Sequence, residues 1–367
     1  MVNWRGVALG VLSGLLAVGS AARADVIFGG NARAFGMGGA GIAVVDRSER
    51  SSLLNPAALA LFNRRIKLEY PHVGLHASGI PFDKAYDHLL KNPSANDAVD
   101  LARDFGKRNS NYGASLGWGL RIAHMDAHVD GQAQVRVLPN AALQTWANTA
   151  NGDVTKLTGA ERADMIGAAI YALPEAGVAE RISPEGSPIR VEGGLRVRLE
   201  RAIYSHYIVS SSNILNNTAA TPAPELNGGT TITKDGIGGD VGFLVHPANH
   251  KGVSGALVVF NAVEPNFRFT GTDQNGNPVK YDLQPRSVSV GSAWEGGQFL
   301  GVFDVVDLTR AYSNVQARMG GEYTTKGVSL RAGYNSGTGF TAGIGWGWLQ
   351  LAFGNRADLQ VTSTLRF

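Results

Sequence analysis

The last nine residues of the chain alternate in character. Leu359, Val361, Leu365 and Phe367 share one face of an extended segment, with Ser363 between them, and Gln360, Thr362, Thr364 and Arg366 share the other. A period of two with one apolar face predicts a half-buried strand. The pattern recurs. In 127–137, Ala127, Val129, Ala133, Val135 and Val137 oppose His128, Asp130, Gln132, Gln134 and Arg136. In 190–200, Val191, Leu195, Val197 and Leu199 oppose Arg190, Glu192, Arg196, Arg198 and Glu200. In 314–323, Val315, Ala317, Met319 and Tyr323 oppose Asn314, Gln316, Arg318 and Glu322, and in 328–334 Val328, Leu330, Ala332 and Tyr334 oppose Ser329 and Arg331. Alternation over about ten residues with interspersed glycine marks transmembrane strands, whose apolar face meets lipid and whose polar face lines a lumen.

Extended along the chain, the pattern predicts about fourteen strands, near 66–78, 112–124, 126–137, 188–200, 203–214, 237–246, 253–265, 285–294, 297–306, 314–324, 327–336, 338–346, 347–354 and 359–367. The number is even, as bacterial barrels require. Connections after the even-numbered strands are tight, as at 246–252, 294–297 and 324–327. Those after the first, third, fifth and seventh are long: 79–111, 138–187, 215–236 and 266–284. Short periplasmic turns and long extracellular loops have this parity, which puts both barrel ends on the periplasmic side. The expected fold is all-β, a transmembrane antiparallel β-barrel. Two long connections, about 82–107 and 140–181, read as helical inserts. The second carries Met165, Ile166, Ala169, Ile170 and Leu173 as a stripe, with Glu161 and Asp164 in the first turn of a helix expected over 159–173. Such inserts either cap the barrel mouth or wall an apolar vestibule for a hydrophobic ligand.

Composition narrows the class. Only 17% of the 367 residues are charged and 44% are hydrophobic, which excludes a disordered chain. The absence of cysteine excludes disulfide scaffolds, thiolate metal sites and a cysteine nucleophile. Past the N-terminus no apolar run reaches the roughly 18 residues of a transmembrane helix. At the N-terminus, Arg5, the apolar stretch 7–18 and Ala22-Arg23-Ala24 before Asp25 read as a signal peptide over 1–24, cleaved between Ala24 and Asp25. The expected organisation is then a segment 25–65 and a barrel 66–367. Without Arg5 and Arg23 the balance of 33 basic to 30 acidic residues falls close to neutrality, so nucleic acid is not an expected partner. The aromatic Phe367 ending the last strand reads as the signal for barrel-assembly machinery. The expected place is the outer membrane of a Gram-negative bacterium, as a monomer bounded by outer-membrane lipid.

The segment 25–65 does not alternate. Its piece Ala32-Arg-Ala-Phe-Gly-Met-Gly-Gly-Ala-Gly-Ile-Ala-Val-Val-Asp46, followed by Asn55-Pro56-Ala57-Ala58-Leu59, resembles the long-chain fatty-acid transporter family (FadL/TodX-type). It is equally similar to that family's relatives, the TraF-like conjugal-transfer proteins and the PorV-type secretion components. Gly320-Gly-Glu-Tyr, Leu330-Arg-Ala-Gly-Tyr and Phe340-Thr-Ala-Gly-Ile-Gly extend the likeness near the C-terminus. The resemblance implies a fourteen-stranded barrel in which 25–65 folds into the lumen as a hatch, with Asn55, Pro56 and Ala57 in the plug.

Gly36, Gly38, Gly39 and Gly41 let a chain turn tightly beside a barrel wall. Pro56 blocks continuation of regular structure into Asn55, whose side chain can bond neighbouring backbone. Arg136, Arg190, Arg196, Arg198, Arg318 and Arg331 share polar strand faces with Glu192, Glu200 and Glu322. They either pair with these carboxylates across the lumen or receive a ligand carboxylate. Other motifs are weaker. Gly36–Gly41 matches G-x-G-x-x-G but lacks the preceding strand and following helix of a dinucleotide site. His124 and His128 flank a turn rather than sharing a helix face. Asp273–Asn277 opens like a calcium loop, but Pro278 stands where glycine is needed. No enzyme, metal or cofactor is expected. The expected function is uptake of hydrophobic small molecules such as fatty acids through a hatched lumen. The alternatives are a non-conducting scaffold in secretion or conjugal transfer, and an outer-membrane lipase.

Overall fold

The computed structural model describes residues 32–45, 54–62, 66–78, 95–107, 109–150, 153–216, 220–227, 229–273, 275–311, 315–337, 339–347, 349–354 and 359–363. Fifteen strands join in one antiparallel sheet. Apart from the two-residue strand Thr221–Pro222 these are β1 (Ile66–Ser78), β2 (Ser110–Ile122), β3 (Met125–Pro139), β4 (Arg162–Arg181), β5 (Ile189–Ser210), β6 (Ile232–Pro247) and β7 (Gly252–Val263). They continue with β8 (Ser287–Gly296), β9 (Phe299–Val306), β10 (Gln316–Thr325), β11 (Val328–Asn335), β12 (Gly339–Trp346), β13 (Leu349–Gly354) and β14 (Leu359–Ser363). Each pairs with its neighbours in chain order, β4 with β5 included. β1 pairs with β14, His72 opposite Thr362. The pairings therefore return on themselves and these fourteen strands close into a barrel. Closure leaves no unpaired sheet edge, the condition for strands to cross a bilayer.

The expected strand count is met by two errors that cancel. Residues 162–181 form the 20-residue β4 rather than a helix, and 189–210 form one strand rather than two. On β4, Ile166, Ala168, Ile170 and Ala172 point inward while the outward residues are also apolar, so both faces are hydrophobic and the alternation is hidden. The helical inserts shrink to α2 (Ala95–Gly106) and α3 (Ala141–Thr149), after α1 (Ala32–Gly36) in the hatch. Asn140 caps α3 by accepting from Leu143 N at 2.9 Å. Leu143, Trp146 and Ala147 of α3, with Val99, Ala102 and Phe105 of α2, pack on Val137 and Ala163 at the ends of β3 and β4.

The outside of the barrel carries Trp118, Leu195, Val197, Leu199, Phe243, Trp294 and Phe303. Phe340 is 70% and Trp346 74% exposed. Large apolar side chains in this number, ringing a closed sheet, form a lipid-facing surface. On β5 the belt ends after Leu199, because the next outward residue is Arg201, paired with Asp235 of β6 at 2.5 and 2.9 Å. A tilted strand needs about 9–11 residues to cross a bilayer. The outer halves of β4 and β5, near Asp164 and His206, therefore stand above the membrane. Among the described residues no helix is long and apolar enough to cross it.

Candidate functional site: hatch, lumen and mouth

The hatch lies inside the barrel. After α1 the chain turns through Gly38 and Gly39, with φ of 77° and 79°. A Cβ at Gly38 would sit 2.5 Å from Tyr334 O of the wall, so space as well as conformation requires glycine there. The second arm is a single 3-10 helix, Pro56–Leu61, with Pro56 in its first turn, where a missing N–H costs nothing. Asn55 caps it. Its Oδ1 accepts from Ala57 N at 3.0 Å, and its Nδ2 donates to Ile42 O at 3.0 Å and Phe243 O at 3.2 Å. One side chain thus ties both hatch arms to β6.

Wall side chains complete the fastening. Asp304 Oδ2 accepts from Gly41 N and Ile42 N at 2.7 and 3.1 Å. Thr341 accepts from Gly38 N at 2.9 Å, and Arg318 donates to Gly39 O at 3.3 Å. Arg33 and Arg331 converge on Glu322, at 2.6 and 2.5 Å. Of the six lumenal arginines, Arg318 therefore holds the hatch directly and Arg331 shares the wall carboxylate, Glu322, that holds Arg33. Where hatch backbone lies tightest on the wall, the wall residue is glycine. A Cβ at Gly194 would lie 2.3 Å from Pro56 C, and one at Gly333 2.1 Å from Gly38 N. These wall glycines were not anticipated from sequence. Their signal was glycine replacing a polar residue in an inward row, as in Glu192-Gly194-Arg196 and Arg331-Gly333-Asn335.

Across the middle of the lumen, Arg196 pairs with Glu175 at 2.8 Å and lies 3.7 Å from Asp240. Arg198 pairs with Glu200 at 2.9 Å and with Asp240, and donates to Asn261 at 2.7 Å. Three carboxylates thus enclose two guanidiniums from β4, β5 and β6. Arg136, level with Ile166, and Arg190, level with His246, are half-buried at other heights. His128 is buried against Asp126 at 3.0 Å while His124 is half-exposed beside Glu180, so the two do not converge. Among the described residues no cluster of three metal-ligating side chains occurs. Ala24, Asp25 and Phe367 lie outside the described residues.

Toward the extracellular mouth the inner wall turns apolar. Ile166, Ala168 and Ile170 of β4 and Ala202 and Tyr204 of β5 pack against Leu226, Phe267, Phe269 and Leu283 from the loops after β5 and β7. Phe269 stacks on Tyr204 with ring centres 4.7 Å apart. This chamber is filled by those loop side chains, and it lies on β4 and β5 rather than at the helical inserts. At its edge His206 is fully buried between two carboxylates, with Nε2 3.1 Å from Asp164 and Nδ1 2.5 Å from Glu225. Sequence reading missed it because its four segments are far apart along the chain.

No family model and no curated protein matches the chain. Among solved structures it is similar to the Pseudomonas putida toluene transporter TodX, at 12% identity over 91% of this chain and 96% of that one, with a TM-score of 0.46. It is also similar to the CymD monoaromatic hydrocarbon channel, at 11% identity over 93% and 99%, TM-score 0.35. A third likeness is to a Pseudomonas aeruginosa FadL homologue, at 11% identity over 91% and 95%, TM-score 0.29.

Proposed function

We propose that the chain is an outer-membrane channel that takes up hydrophobic small molecules, which enter the apolar chamber at the mouth and pass the hatch. One observation carries this reading. The inner wall of the mouth carries Ile166, Ala168, Ile170 and Tyr204, packed against Leu226, Phe267, Phe269 and Leu283 of the loops, where a pore for polar solutes would present polar groups. A ligand burying about 200 Å² of apolar surface there gains about 5 kcal/mol, offset by whatever loop contacts it displaces. TodX is described as a toluene transporter and CymD as a monoaromatic hydrocarbon channel, in accord with this reading.

Uptake of labelled toluene and of a labelled long-chain fatty acid by cells that lack their own transporters tests the proposal. The chain should raise uptake of at least one, and Ile170→Asp should abolish the gain while heat-modifiable gel migration still reports an assembled barrel. The many polar bonds that hold the hatch favour a second reading, a non-conducting scaffold. An assembled barrel that takes up neither compound would select it.

A further inference from the structure

The segment Thr221–Leu226 folds back into the mouth rather than over its rim. Thr221 and Pro222 pair with Ile208 and Tyr207 of β5, and Ala223 N donates to His206 O at 2.9 Å. A 3-10 turn, Pro224–Leu226, follows and ends at Asn227 in the left-handed conformation. This turn buries Leu226 in the apolar chamber and points Glu225 at His206. From the opposite side Gly271 closes over the Glu225 carboxylate, since a Cβ there would lie 2.1 Å from its Oε1.

The grip on this segment is slight. Its polar ties are a two-residue strand, the Ala223 N–His206 O bond and a carboxylate bonded through one oxygen, Oε1, to His206 and to Tyr204 Oη at 3.4 Å, while the buried Oε2 has no hydrogen-bond partner; its apolar ties are the small Ala223 and the single Leu226. The wall beneath it, by contrast, belongs to strands of 20 and 22 residues paired along most of their length. Local opening free energy follows the number of contacts broken, so the segment opens at far lower cost than the wall. Ala202 and Tyr204, fully buried, lie beneath Leu226 of this segment on one side and beneath Phe269 and Tyr281 of the loop after β7 on the other, so opening the segment uncovers the side that Leu226 packs on.

We propose that Thr221–Leu226 is a lid over the apolar chamber, latched by the contact of Glu225 with His206, and that its release admits the hydrophobic ligand. The proposal rests on the uptake reading for the ligand's identity, but the lid itself is testable without transport. The chain has no cysteine, so Ala202→Cys supplies a single reporter thiol inside the chamber. On intact cells a membrane-impermeant maleimide should label it slowly. Adding Glu225→Gln should speed labelling about tenfold, the factor expected for loss of one charge-assisted hydrogen bond. A separate variant, Tyr207→Cys with Pro222→Cys, joins cross-strand partners close enough for a disulfide and should lock the lid. Oxidation should stop uptake and reductant should restore it. Labelling that is unchanged by Glu225→Gln in an assembled barrel overturns the lid, as does uptake indifferent to the lock. Labelling that accelerates in a barrel that transports nothing leaves the lid standing and removes the uptake reading.

Discussion

Arg33 of the hatch and Glu322 of the barrel wall, 289 residues apart, form a two-point ion pair, Nε to Oε2 at 2.8 Å and Nη2 to Oε1 at 2.6 Å. Arg331 reaches the same carboxylate from the neighbouring strand β11. Glu322 is thus shared between one cation that belongs to the plug and one that belongs to the wall, and the hatch is held at its first described turn.

Glu322→Gln should therefore loosen the hatch more than Arg33→Ala. The first leaves two guanidiniums around a neutral group, a loss of about 3–5 kcal/mol for a buried pair. The second leaves Glu322 still paired with Arg331. Single-channel recordings should show higher mean conductance in that order.

Glycine positions should differ in severity. Gly38→Val and Gly333→Val each drive a side chain into backbone across the hatch–wall contact, so both should displace the plug while the barrel assembles. At Gly41 an added Cβ meets only side chains, Leu54 and Val44, at 3.4 and 3.5 Å, although its φ of 143° still disfavours a branched residue. Sensitivity to bulky antibiotics should be raised strongly by the first two and weakly by Gly41→Val. Deletion of 26–48 sets the upper limit.

In the middle of the lumen, Arg198→Met should destabilise the barrel. It leaves Glu200 without its guanidinium and Asp240 with only the more distant Arg196 at 3.7 Å, and removing one partner of a buried pair costs about 3–5 kcal/mol. The temperature at which heat-modified migration appears should fall by several degrees. If uptake falls while that temperature holds, Arg198 serves a ligand instead of the network.

The lid should respond to pH. Burial works against the protonated imidazole of His206, but hydrogen bonds to Asp164 and Glu225 and their charges outweigh it, so the group titrates above its ordinary 6.5. Tyr204 of β5 and Tyr281 of the loop between β7 and β8 also face the ring, and Arg136 acts on Tyr281. A raised folded value means that the latch is fully present below pH 6.5 and is lost only as pH rises through the raised, folded-state value above it. Ala202→Cys labelling, corrected for thiol ionisation, should accelerate with rising pH, and His206→Gln should remove the dependence.

What the chain determined by itself was whatever depends on neighbours in sequence. Alternation at Arg190–Glu200 and Asn314–Tyr323 predicts strands because a strand's two faces are set by residue parity alone, and the tight turn at Lys326-Gly327, both with positive φ, is a local conformational requirement. The turn at Gly38 and Gly39 and the corner at Asn55-Pro56 were legible for the same reason. The tertiary structure decided the rest. β4 could not be told from a helix because its inner face is apolar only in response to Leu226, Phe267 and Phe269, which arrive from loops scores of residues away. Glu175, Asp240 and Asn261 became partners of Arg196 and Arg198 only when the barrel closed. Gly194 and Gly333 gained their role only once the hatch backbone lay against them. Parity along a strand says which face a side chain takes; what stands opposite it inside a closed barrel is set by the strands and plug that meet there.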